Sequence, residues 1–139
     1  NNIAVLKLAP EEDKNNASSK LKVARVSSRN LTKGDEVTVY GWGLIQHKTN
    51  FPIEIRKEVE TITAIDEEIA YAHTNNSHIC QTYFGGPAVL KDSHIVVGLV
   101  SDKNIICGLD EHISHHLINL NSLFGWIDKM MREFTVVVG

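Results

Sequence analysis

Between Cys80 and Leu90 the chain reads "CQTYFGGPAVL", a Gly-Gly-Pro turn leading into an apolar strand. Paired glycines reach backbone conformations that other residues resist, and the proline fixes the exit, so such a turn is suited to presenting a side chain. The side chain presented is that of Phe84, which has no acid, base or nucleophile chemistry. The other concentration of reactive groups is His112, His115 and His116, three imidazoles within five residues. Two of them could share a face of a helix, but the stretch after Cys107-Gly108 reads as loop and strand, and isolated histidine pairs lack the third and fourth ligands that zinc requires. A histidine-rich surface loop is expected there, with no metal and no cofactor. Elsewhere there is no GxGxxG, no phosphate-binding loop, no CxxC pair and no HExxH.

The two cysteines, Cys80 and Cys107, each flank a strand of one apparent hairpin. That arrangement suits a disulfide in an oxidising compartment, with two buried thiols as the alternative. Three sequons, Asn16-Ala-Ser, Asn30-Leu-Thr and Asn75-Asn-Ser, lie in polar stretches where a glycan would project into water. The chain starts at Asn1 without a methionine or a signal peptide, as a mature or cleaved chain does.

The elements that must hold these groups are mostly strands. Period-two alternation and turn residues mark Ile3–Leu8, Lys22–Val26, Glu36–Tyr40, Glu54–Ile65, His94–Val100 and Leu117–Asn119. Many short strands joined by polar turns predict an all-β barrel or sandwich. Helical spacing appears only near the end, where Leu123, Phe124, Trp126, Ile127 and Met130 share one apolar face and Asn121 or Ser122 stands where a cap is expected. Residues 11–20, "EEDKNNASSK", read as a linker or an exposed loop. At 139 residues, 42% apolar and 22% charged, the chain suffices for one domain with one core. Its net charge of -3 comes from interspersed acids and bases, without the basic stripe of a nucleic-acid binder. No apolar run reaches the roughly 18 residues of a membrane-spanning helix. Neither nucleic acid nor membrane is expected as a partner.

Several stretches stand in a telling order. "NNIAVLKL" at the start, "GDEVTVYGWG" at Gly34 to Gly43, Cys80 followed by Gly85-Gly86-Pro87, "VVGLVS" at Val96 to Ser101, Cys107-Gly108, and "LFGWIDKM" at Leu123 to Met130 together resemble the trypsin/chymotrypsin-like serine proteases. The likeness runs over nearly the whole chain. It implies the family's double six-stranded antiparallel β-barrel with a C-terminal helix and an active site in the cleft between barrels. The resemblance begins at the strand that carries the catalytic aspartate. By that resemblance, residues 1–20 are the end of the first barrel and the inter-barrel linker, 21–120 the second barrel, and 121–139 the C-terminal helix and tail. The rest of the first barrel, with the family's catalytic histidine, is then expected as a separate chain or a segment outside this sequence. A strand such as Ile3–Leu8 cannot bury itself without ladder partners.

Position by position, the resemblance implies lost catalysis. Active members read Gly-Asp-Ser-Gly-Gly-Pro at the turn, where this chain reads Thr82-Tyr83-Phe84-Gly85-Gly86-Pro87. Phe84 replaces the nucleophilic serine, and no acyl-enzyme forms on a phenyl ring. Tyr83 replaces the aspartate that pairs with the new N-terminus after zymogen cleavage, and Thr82 stands where a glycine offers its amide to the oxyanion. Asn2 matches the triad aspartate; in an active member that change lowers turnover about ten-thousandfold, because the histidine is held in the wrong tautomer. In the substrate pocket, Ser101-Asp102-Lys103 replaces Ser-Trp-Gly, so Asp102 removes an aromatic platform and Lys103 sets a long cation at a wall glycine. His115 falls near the other wall glycine and His78 near the pocket floor. The segment between Thr61 and Cys80 is shorter than the family's and lacks its cysteine pair.

The implied protein is a pseudoprotease. Among inactive relatives it most resembles the inactivated protease paralogues of the scabies mite, which implies a secreted, extracellular protein that binds host defence proteins, notably complement components, without cleaving them. Two other functions fit the residues: a non-catalytic cofactor in a proteolytic cascade, and an enzyme of another chemistry using the histidine cluster.

Overall fold

The alternating segments "EVTVYG" and "RKEVETITAID" form the two strands around which the chain builds a ring. The structure is a computed structural model, in which residues 3–9, 22–42, 44–45, 54–74, 79–80, 84–101 and 113–136 are described. In chain order its elements are β1 (Arg25–Val26), β2 (Glu36–Gly41), β3 (Leu44–Ile45), β4 (Arg56–Asp66), β5 (Ile69–Thr74), β6 (Ile79–Cys80), β7 (Pro87–Leu90), β8 (Ile95–Val100), β9 (Ile113–Asn119) and α1 (Leu120–Val136). Strands β8, β7, β2, β4, β5 and β9 are successive antiparallel neighbours, and the β8–β9 ladder closes them into a six-stranded barrel. Closure removes the free edges through which an open sheet would pair with other chains. Outside the ring, β1 pairs parallel to β8, and β3 pairs with β6.

Val37, Val39, Ile62, Ala70, Ala72, Ala88 and Leu117 fill the interior without any exposed surface. On β8 the alternation breaks. Val97 and Val100 belong to this core, whereas Val96 and Leu99 pack in the cluster that holds the helix. The β7–β8 register supplies the reason: Ala88 faces Gly98 while Val89 faces Val96, leaving Val97 as an extra residue. Such a bulge places two successive residues on one side and reverses the parity beyond it. The second of those two is Gly98, where a Cβ would lie 3.2 Å from the Ile118 carbonyl oxygen and 3.3 Å from Leu117 Cβ. The close approach of β8 and β9 therefore favours a residue without a side chain.

Strand β4 inverts the hydropathy pattern. Val59 is 57% exposed and Glu60 only 1%. The Cα partner of Glu60 is Val37, itself fully buried, so the ladder turns the glutamate inward whatever its polarity.

Helix α1 docks through Leu120 and Ile127 onto Ile118, Val96 and Leu99. It starts at Leu120, earlier than the cap expected at Asn121 or Ser122. The residue before it, Asn119, is held by the β4–β5 turn: its backbone N–H donates to the Glu68 carbonyl at 2.9 Å and its side-chain amide to the Glu67 carbonyl at 3.4 Å. Ser122 Oγ donates back to the Asn119 carbonyl at 2.7 Å. Ile127 from the expected apolar face is buried, but Trp126 stays 40% exposed. No described helix is long and apolar enough to cross a membrane.

The expected strand Ile3–Leu8 is irregular, and Leu6 and Leu8 are exposed. A strand needs a ladder partner, and the barrel strands have already satisfied one another. Ile3 instead packs beside the helix cluster, and Lys7 Nζ donates to the Phe134 carbonyl at 2.9 Å. The strand expected over Lys22–Val26 shrinks to Arg25–Val26. Strand β5, whose alanines dilute the apolar signal, was not expected, nor was β7 bounded as a strand of its own. The polar stretch 11–20 lies outside the described residues.

Candidate functional site

Pro87 opens β7, and the turn before it is held by backbone geometry. Gly85 has φ 76°, a left-handed conformation in which a side chain is penalised. Its N–H donates to the Val100 carbonyl at 2.8 Å, and the Val100 N–H donates to the Gly86 carbonyl at 2.9 Å. The turn is thus clamped to the end of β8, with Phe84 in the turn, 50% exposed. From the same end of β8, the Ser101 N–H reaches the His116 carbonyl on β9 at 2.8 Å. The His116 ring meets Tyr71 edge to face, with centroids 4.9 Å apart. Because β2 runs antiparallel to β7, its C-terminal end lies at this rim as well. Trp42, one residue beyond β2, is 50% exposed there. Sequence reasoning did not single out Trp42, although it lies within the "VYGWG" segment.

A phenyl ring at the turn supplies no lone pair and no transferable proton, so the described rim offers contact surface and imidazole, without a nucleophile at position 84. Among the other expected site residues, His115 lies in β9 with Ala72 as its partner, and Cys80 ends β6 opposite Leu44. Asn30 is exposed between β1 and β2. Asn2, His78, Thr82, Tyr83, Asp102, Lys103 and Cys107 lie outside the described residues, as do Asn16, Asn75 and His112. The expected Cys80–Cys107 disulfide lies outside them with Cys107.

The histidine-rich loop is corrected in part. His115 and His116 belong to a paired strand, because β9 extends back to Ile113 along β5. Among the described residues, no group of three or more His, Cys, Asp or Glu is placed to hold a metal.

A shallow groove of about 500 Å³ lies on the outer wall, lined by Tyr40, Val59, Val89, Lys91 and His94 among others. Lys91 Nζ is 2.6 Å from Glu36 Oε2, and this hydrogen bond, reinforced by the carboxylate's charge, raises the lysine pKa. The groove contains none of the residues expected at a site. Its sequence signal is the turn "LKDSHI", where Asp92 takes φ 55°.

A closed six-stranded antiparallel barrel with a C-terminal helix and a Gly-Gly-Pro turn at its rim defines a trypsin-like domain. The trypsin family matches residues 1–127, and the chain belongs to that family. The solved structure of neuropsin, a serine protease of mouse brain, is similar with a TM-score of 0.69 and 23% identity over 84% of this chain and 56% of its own. A mutant of human heparin binding protein has a TM-score of 0.68 and 17% identity over 87% of this chain and 55% of its own. The chain therefore spans little more than half the length of these structures. No curated protein sequence matches it.

Proposed function

We propose that this chain is part of a catalytically inactive serine protease homologue that acts outside the cell by binding a protein. The observation that supports the reading is Phe84: the turn has a left-handed glycine and a clamp to β8, and its half-exposed phenyl ring is at the position that the family resemblance assigns to the nucleophile. The substitutions at Asn2, Thr82, Tyr83, Asp102 and Lys103 support the same reading, because together they affect the triad, the oxyanion donor, zymogen activation and the substrate pocket. In this reading the chain is the second barrel, and the remainder of the first barrel covers Ile3–Leu8. The exposure of Leu6 and Leu8 supports such a cover. A Cys80–Cys107 disulfide would brace the old pocket.

The rim aromatics Phe84 and Trp42 are the contact surface of choice, since aromatic anchors dominate protein interfaces. The ligand class is a host defence protein such as a complement component, as the resemblance to the inactivated mite paralogues implies. One structural neighbour is named for heparin binding, but the net charge of -3 here disfavours a polyanion.

The test uses the complete domain, with wild type and Phe84→Ser each offered a pooled peptide library and a serine-directed phosphonate probe. Neither is expected to cleave or to be labelled. Restoring the hydroxyl leaves Asn2 to hold any histidine in the wrong tautomer, and a compromised oxyanion donor typically costs about 100- to 1,000-fold. Rapid labelling of the Phe84→Ser variant would overturn the reading and mark a recently disabled enzyme. In parallel, the wild type should retain an intact plasma protein that Phe84→Ala and Trp42→Ala release. Acceleration of a partner protease would instead identify a cascade cofactor.

A further inference from the structure

The irregular chain between β1 and β2 contains the sequon Asn30-Leu31-Thr32. Leu31 is 6% exposed and belongs to the barrel core, so it anchors the tripeptide by its middle residue. Asn30 and Thr32 on either side are exposed. The flanks are fixed locally: Ser27 Oγ accepts the Arg29 N–H at 2.8 Å, and the Asp35 carboxylate accepts the Thr32 N–H at 2.9 Å. Arg29 also pairs with Asp35 at 3.4 Å. The orientation of the Asn30 amide is set from the helix, because its Oδ1 accepts a hydrogen bond from Asn121 Nδ2. With the oxygen committed to α1, the amide nitrogen is left on the other side of the group.

The folded arrangement accommodates a glycan there, because N-glycosylation uses the nitrogen and spares the oxygen. We propose that Asn30 carries an N-linked glycan whose amide keeps its hydrogen bond to Asn121 in the folded protein. The inference rests on the extracellular reading above, since the modification occurs in the secretory compartment. In the step, Asn30 Nδ2 loses one proton and bonds to the anomeric carbon of an oligosaccharide. The bond from that carbon to a phosphate oxygen of a lipid-diphosphate donor breaks, and the lipid diphosphate leaves with the bonding pair. The product amide retains its carbonyl oxygen and one N–H, so the contact with Asn121 survives. Thr32 supplies the hydroxyl that the sequon requires.

The site also has a consequence for recognition. Strand β2 runs from the Asn30 side of the barrel to Trp42 at the other end. A glycan on Asn30 therefore covers the wall beside the start of α1 and leaves the Phe84 rim open to a partner.

The experiment expresses the full-length gene product, with its natural N-terminus, in a secreting eukaryotic host. Secreted protein is treated with peptide N-glycosidase in heavy-oxygen water and mapped by mass spectrometry. Asn30 should be recovered as heavy-oxygen-labelled aspartate, and Thr32→Ala, which leaves Asn30 in place, should remove one glycan from the intact mass. Asn30→Gln should remove the same glycan. Secreted protein with a bare Asn30, or with glycans on Asn16 or Asn75 alone, overturns the site while leaving the extracellular reading standing. Retention in the cytosol with a bare Asn30 overturns both.

Discussion

Leu117 and Leu6 are the same side chain in opposite circumstances. Leu117, on β9, has both ladder neighbours in place and is fully buried, while Leu6, in an equally apolar segment, is 81% exposed. Hydropathy does not distinguish them. What differs is whether the chain supplies a strand at 4.7–4.9 Å on either side, because a strand's apolar face is buried only after its backbone is paired. The barrel is complete in itself, and Ile3–Leu8 is a segment with nothing to pair against among the described residues.

Three substitutions test that contrast, and a fourth, read by titration, tests the outer wall. Leu117→Ala should cost about 2–5 kcal/mol, since neighbours in a closed ring relax poorly around a deleted side chain. A shifted denaturant midpoint at unchanged slope would measure it. Gly98→Ala should cost about 1–3 kcal/mol, because the added methyl meets the Ile118 carbonyl at 3.2 Å, a backbone atom fixed in the β8–β9 ladder. A stable Gly98→Ala variant would mean that the β7–β8 bulge is more compliant than the register suggests. Leu6→Ala in this chain should fall within about 0.5 kcal/mol, as exposed positions do. The same substitution measured with a first barrel docked should approach the Leu117 value; equal small effects in both would remove the argument for that cover.

The smallest effect concerns the outer groove. Glu36→Gln removes the charge, and weakens the hydrogen bond, that raise the Lys91 pKa, so the ammonium should titrate closer to its ordinary value in an NMR pH series. The sign follows from linkage. A lysine whose folded pKa is raised adds stability below its unfolded pKa, and that contribution disappears as pH rises through the folded value. Lys91 is exposed, so salt screens the pair and the change in stability should be slight.

The rim was legible for a local reason. Gly85, Gly86 and Pro87 dictate their own backbone conformations, so the turn and the residue within it can be read from adjacent letters. The same holds for β2, β4 and β8, where period two is carried by neighbouring residues. The orientation of Asn30 was not legible, because it depends on Asn121, 91 residues away in sequence. Trp42 was passed over because exposure is a property of what surrounds a side chain.

The amino-acid sequence alone determined the class of elements, the terminal helix, the turn bearing Phe84 and the likeness to trypsin, all of which rest on short-range pattern or ordered motifs. Tertiary structure decided what short-range pattern does not contain. Ladder register turned Glu60 inward and Val59 outward, a bulge brought Val97 and Val100 into one core, closure joined β8 to β9, and Ile3–Leu8 is irregular, with no ladder partner among the described residues. In each case the deciding neighbour comes from a distant part of the chain, and a strand's face is assigned only when that neighbour pairs with it.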